Sequence, residues 1–279
     1  MRKFLLIIMV AIIPLSISAK KYIPSKDVFL SFFNSHTYVV LPNNPFSEYN
    51  TTIEKAIKDN WTITDYSFIK ETEFEKYRKD PKNSFIIVTH DKFENDKMPA
   101  SYDFINIMIG KNVNDIDQMP YVFSFPLKYT NSENELYVPF MNTLVLFMQN
   151  HLNKVKENPD KLLKADMFKP YNKEKAQIKS GMLYFPLEYM SAEVNSIEKI
   201  DSLYNHKHSV INNSDINKIM AGEQIFIIYK VGPEECKLKS KVFKYIFDNK
   251  GNMYFAAKHN YSQKAGDGFL IKDIKRINK

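Results

Sequence analysis

The order of apolar runs and helical patterns between residues 183 and 259 constrains the chain most. Read from 183, it passes through LYFPLEYM, a short helical pattern, HSVIN, a second helix, QIFIIYKVG and the paired runs of KVFKYIFDNKGNMYFAAKH. That is strand, helix, strand, helix, strand and then two further strands. The same order can be traced from 38 to 110, which implies two tandem copies of one small βαβαβββα-like module. Alternating strands and helices predict an α/β fold with mostly parallel sheets and helices packed on them, with the terminal hairpin adding antiparallel strands. The expected organisation is a signal peptide at 1–19, a lead-in at 20–36, a first module at 37–159, a linker at 160–180 and a second module at 181–279.

The local signals that support this order are physical. Residues 38–41 and 85–88 are compact apolar runs of the kind a buried strand presents, the first stopped by Pro42. Thr51 with Glu54, and Thr72 with Glu75, have the form of capping boxes. Residues 61–69 and 102–109 read as strands, and 121–129 as an edge strand because it carries Pro126. Tyr137, Phe140, Met141, Leu144, Val145, Met148, Leu152 and Val155 recur at helical spacing, which predicts a long helix packed against a sheet. Ser214 is placed as a helix N-cap, with Gly222 as its left-handed C-terminal residue. Residues 248–252 have hairpin-turn chemistry, and Leu270, Ile271, Ile274 and Ile277 predict a closing amphipathic helix.

The first nineteen residues read as an address. Arg2 and Lys3 precede an apolar run, and Ser16, Ser18 and Ala19 offer the small residues of a cleavage site. An exported product, periplasmic or secreted, is expected. The single cysteine, Cys236, does not follow the cleavage point, which points away from a lipid anchor, and it leaves the fold to packing without an internal disulfide. The formal charge of +7 falls to +5 without Arg2 and Lys3, and it is almost all lysine, with arginine only at 2, 78 and 276. Arginine is the residue suited to bidentate phosphate contacts, so this surplus does not suggest a nucleic-acid partner. Asn50, Asn60, Asn212 and Asn260 stand in glycosylation sequons.

Motifs that name a reaction are missing. Seven glycines supply neither a phosphate loop nor a dinucleotide fingerprint, and there is no nucleophile elbow or HExxH pair. Cys236 follows Glu234 and Glu235, whose charges raise a thiol pKa. Two constellations remain. His206 and His208, two apart, would face one way on a strand and share a metal, but no third ligand is evident and they read as solvated loop histidines. His90 and Asp91 follow the apolar run 85–88, where open α/β sheets place binding sites, and an Asp–His pair can do acid–base work. No cofactor and no metal are expected.

Residues 209–211 before a helix at Ser214 and Asp215, with a later strand ending in Asp248-Asn249-Lys250-Gly251, carry a resemblance. This half is similar to the amino-terminal α/β domain of the TolB family and to the related domain of the curli-secretion lipoprotein. The whole chain also looks like small exported proteins of envelope-rich bacteria. The resemblance implies an envelope assembly or interaction role and brings no catalytic residue with it. Thioredoxin folds share the element order but need paired cysteines, which are lacking here. Three functions follow as expectations: a non-enzymatic envelope protein that binds or scaffolds a protein partner; a hydrolase or metal-dependent enzyme using His90, Asp91, His206 and His208; and a small-ligand binder with its cleft between the modules.

Overall fold

The computed structural model describes residues 23–44, 47–92, 100–130, 132, 135–163, 167–220, 222–223, 225–233 and 240–279. The expected signal at 1–19 and Cys236 lie outside the described residues. After helix α1 (Lys26–Ser31), the first sheet is built from β1 (His36–Leu41), α2 (Glu48–Asn60), β2 (Tyr66–Lys70), α3 (Phe74–Tyr77), β3 (Asn83–Lys92), β4 (Ser101–Ile109) and β5 (Tyr121–Tyr129). Helices α4 (Met141–Glu157) and α5 (Pro159–Leu162) follow. The second sheet is built from β6 (Met182–Pro186), α6 (Ile197–Asp201), β7 (His208–Ile211), α7 (Ile216–Ile219), β8 (Ile225–Val231), β9 (Lys241–Asp248) and β10 (Met253–Asn260), with α8 (Ile271–Asn278) last. Among the described residues no helix is long and apolar enough to cross a membrane.

The protein is α/β with two five-stranded mixed sheets. The first runs β2-β1-β3-β4-β5 and the second β7-β6-β8-β9-β10, the same order in the same directions. In each sheet two pairings are parallel and two are antiparallel, so the expectation of mostly parallel sheets is corrected to an even mixture. The reason lies in the connections. Helical crossovers carry the chain back to the same sheet end after β1, β2, β6 and β7. The pairings β3·β4, β4·β5, β8·β9 and β9·β10 are antiparallel, each strand running back along the one before it.

Helix α4 is the centre of the molecule. Ten of its seventeen residues are buried, more than the single stripe of a surface helix. Phe147 packs on Phe123 and Phe125 of β5, each 5.8 Å between ring centroids, and on Phe247 of β9 at 5.2 Å. The helix is thus held between the two sheets. The strands also meet directly: Phe125 lies 4.7 Å from Tyr245, and the Tyr229 hydroxyl donates to Leu127 O at 2.6 Å. Tyr102 donates to Lys241 O at 2.7 Å across the same junction. The opposite face of the first sheet is covered by a smaller cluster in which Val40, Phe85, Ile87 and Met108 pack with Phe74 and Met119. The stretch 160–180 contributes buried Tyr171 and Ile178 to the main core.

Several local expectations shift by a few residues. Helix α2 begins at Glu48 after Ser47, so Thr51 and Glu54 lie inside it. Glu73, not Glu75, bonds back to Lys70 N at 3.0 Å. The strand expected at 61–69 starts at Tyr66. Asn212, not Ser214, stands at the N-cap before α7, and the left-handed glycines are Gly251 and Gly266 rather than Gly222. Gly251 has φ +73°, and a Cβ there would come within 2.5 Å of the Phe147 backbone nitrogen. The β9–β10 turn therefore seats directly on α4. Asp248 closes that turn by accepting from Lys250 N at 2.9 Å and Asn252 N at 2.8 Å.

Candidate functional site

Strand order places one site on geometric grounds. The chain leaves β1 for β2 on one side and then crosses to β3 on the other, so the crevice between β1 and β3 opens at their carboxyl ends. A cleft of about 220 Å³ lies there. Pro42 closes β1 on one wall, and Ser47 and Tyr49 bring the first turn of α2 to another. His90 comes from the end of β3, Lys128 from the end of β5, and Glu71 from the end of β2.

His90 and Asp103 face each other directly in the β3–β4 register. His90 Nδ1 donates to Asp103 Oδ1 at 2.7 Å, and the Thr130 hydroxyl donates to the same oxygen at 2.6 Å. Asp103 is 5% exposed, while the His90 side chain is 67% exposed. A buried carboxylate thus orients an accessible imidazole, the arrangement that fixes a proton-transferring histidine. The expected partner, Asp91, instead accepts from Thr89 at 3.3 Å. Among the described residues no hydroxyl or thiol is hydrogen-bonded to His90, so no nucleophile completes the pair.

Lys128 and Glu135 form an ion pair at 3.5 Å across the cleft mouth. Burial, followed by the adjacent Glu135 charge, holds the Tyr137 phenol well above its ordinary range. Burial does the same to Tyr49, whose hydroxyl is enclosed without a hydrogen-bond partner. Both phenols stay protonated at any physiological pH. Ser47 makes no side-chain cap on α2, leaving the partial positive charge of the helix start beside the cleft.

The second sheet has the same switch point, and its own chain closes it. Lys230 of β8 pairs with Asp267 at 2.6 Å. Phe269 N donates to Tyr189 O at 2.8 Å, and Ser191 N to Phe269 O at 3.0 Å. A Cβ on Gly268 would sit 2.4 Å from the Met190 carbonyl carbon, so the segment lies against backbone that only glycine can approach. A further cavity of about 250 Å³ lies between α4 and the β9–β10 turn, at the end of the sheet opposite the carboxyl ends of β6 and β8.

The remaining sequence candidates do not assemble. His206 precedes β7, and His208 begins it. Both His208 nitrogens are engaged, Nδ1 with His206 O at 2.7 Å and Nε2 with Asp201 at 2.8 Å. Among the described residues no three His, Cys, Asp or Glu side chains converge as a metal would require. Sequence reasoning found His90 but missed Asp103, Lys128, Glu135, Tyr49 and Tyr137. The one signal for them was position, since Asp103 opens one strand and Lys128 closes another.

Compared with protein-family models, curated proteins and solved structures, the chain matches none.

Proposed function

We propose that the chain is an exported protein that binds a small polar molecule in the cleft between β1 and β3, without chemistry of its own. One observation carries this reading: the same crevice in the second sheet is met by Asp267, Gly268 and Phe269, whereas among the described residues the first keeps a cleft lined with charged and phenolic groups. We take the two sheets as tandem copies of one module, of which the first keeps the site and the second is structural. Their matching strand order supports this. The cleft lies within the first sheet rather than between the modules. Scaffolding on an apolar patch has less support, because among the described residues the exposed large apolar side chains are Ile23, before α1, and Ile197, in α6.

A panel of amino acids, amines, organic acids and sugars tests binding by thermal unfolding of the full chain. At about one hundred times its Kd a ligand adds about 2.7 kcal/mol, or about 5–10 °C for a chain of this size. At least one class should raise the wild-type Tm by such an amount and leave Glu71→Trp, which fills the cleft rim, unmoved. Equal shifts in both proteins, or none in either, would sink the reading.

The oriented His90 favours a second reading, a hydrolase using His90 as general base on water. Turnover of any bound panel member that is lost in His90→Gln would put that reading first.

Export rests on residues 1–19. Mass spectrometry of the native protein should find a chain beginning near Lys20. A native chain still carrying Met1 through Ala19 would overturn it.

A further inference from the structure

We infer that the cleft takes the ammonium group of a small amine, an inference that rests on the binding reading above. The chain as a whole is basic, at +7, yet the cleft reverses that sign. Among the described residues, Glu71, Asp103 and Glu135 line it against one ammonium, Lys128. The three carboxylates and the one ammonium sum to −2. The start of α2 contributes only about half a positive charge in opposition, so the carboxylates win.

The three acids differ in how fully they are satisfied. Asp103 is held by His90 and Thr130 at 2.7 and 2.6 Å. Glu135 meets Lys128 at 3.5 Å, longer than the 2.7–2.9 Å of a tight charged hydrogen bond. Glu71 has no ion-pair partner among the described residues, so two carboxylates retain capacity for a cation.

Tyr49 is the independent sign of a ligand. It is 4% exposed, it lines the cleft, and its hydroxyl is buried with no partner. An enclosed polar atom without a hydrogen bond is costly. A phenol that stays protonated keeps a lone pair that accepts an ammonium N–H without adding charge. The volume, at about 30 Å³ for each water-sized unit, suits a ligand of roughly six or seven heavy atoms. An anion would meet the carboxylates of Glu71 and Glu135, and a neutral polyol would leave the Glu71 charge unanswered.

Calorimetric titration of the full chain with 1,4-diaminobutane, 1,4-butanediol and succinate isolates charge at constant carbon length. The diamine should bind, with the diol and the dicarboxylate at least ten-fold weaker. Tyr49→Phe should weaken the diamine several-fold. Glu71→Gln with Glu135→Gln should weaken it at least ten-fold while circular dichroism stays unchanged. Undiminished diamine binding in that double variant overturns the assignment to this cleft. Preference for succinate or the diol overturns the charge argument and leaves the binding reading standing, as does silence toward all three when another panel compound binds. Silence toward these probes and the entire panel overturns both.

Discussion

Replacing Asp273 with alanine should cost about 3–5 kcal/mol, a large part of the roughly 5–15 kcal/mol that keeps a protein folded. Asp273 and Lys244 are ion-paired with both side chains 1% exposed. Burial pulls the Lys244 ammonium below its ordinary pKa, and the Asp273 charge opposes that pull. Removing the carboxylate leaves a buried cation without its counter-charge. It also removes the acceptor for Leu270 N, bonded at 3.1 Å at the start of α8. Lys244→Met alone should be similarly harmful, because it strands the carboxylate. Lys244→Met together with Asp273→Leu should recover most of the loss, since well-packed apolar residues often replace a buried pair at little cost. Denaturant midpoints of the four proteins check this. An Asp273→Ala variant within 1 kcal/mol of wild type would show that the pair contributes little.

Acid should destabilise the protein through His151. Burial, with a smaller contribution from Lys154, lowers its pKa to about 3 from an ordinary 6.5. The ring lies between α4 and Tyr171, whose hydroxyl shares a hydrogen bond with Nδ1 at 2.9 Å. Below about pH 6.5 the unfolded chain takes up a proton here that the folded chain refuses until about pH 3. The unfolded state therefore binds more protons across that window, and stability falls as pH falls through it. At about 1.4 kcal/mol per pH unit, the loss from pH 7 to pH 4 is about 3 kcal/mol. Carboxylates also titrate in this range, so the measurement is a comparison. His151→Phe with Tyr171→Phe should lose about 3 kcal/mol less than wild type between those pH values. Parallel pH profiles would show that His151 titrates normally in the folded state.

Neither Lys244–Asp273 nor His151 was visible as a special position in the sequence, and the same holds for most of the cleft. The elements were legible where side chains repeat at the period of the structure. Residues 85–88 read as a buried strand because the run is unbroken, and Phe85 and Ile86 are fully enclosed. The helix through Leu144 and Met148 was legible from its spacing, but its role between two sheets was not, because a stripe does not say what lies opposite it. Capping patterns failed for a local reason. A Thr-x-x-Glu spacing also fits a helix interior, where Thr51 and Glu54 lie. The cleft was hidden by register: Asp103 is thirteen residues from His90, and only the antiparallel alignment of β3 on β4 sets them opposite. His206 and His208, read as loop histidines, are close in sequence, and there His208 bonds to the His206 carbonyl and to Asp201.

The position of α4 between the sheets has a consequence for synthesis. Phe125 and Phe147 are covered by Tyr229, Tyr245 and Phe247, residues that appear about a hundred positions later in the chain. At about 5–20 residues per second, that interval lasts on the order of 5–20 s. Throughout it the inner face of the first sheet has α4 as cover but lacks the aromatic side chains of β8 and β9. Its aromatic side chains are wet on that side, and the helix that should join the halves has only one of its two supports. The molecule cannot finish its first half before starting its second, and a nascent chain must be kept from aggregating until β8 and β9 arrive.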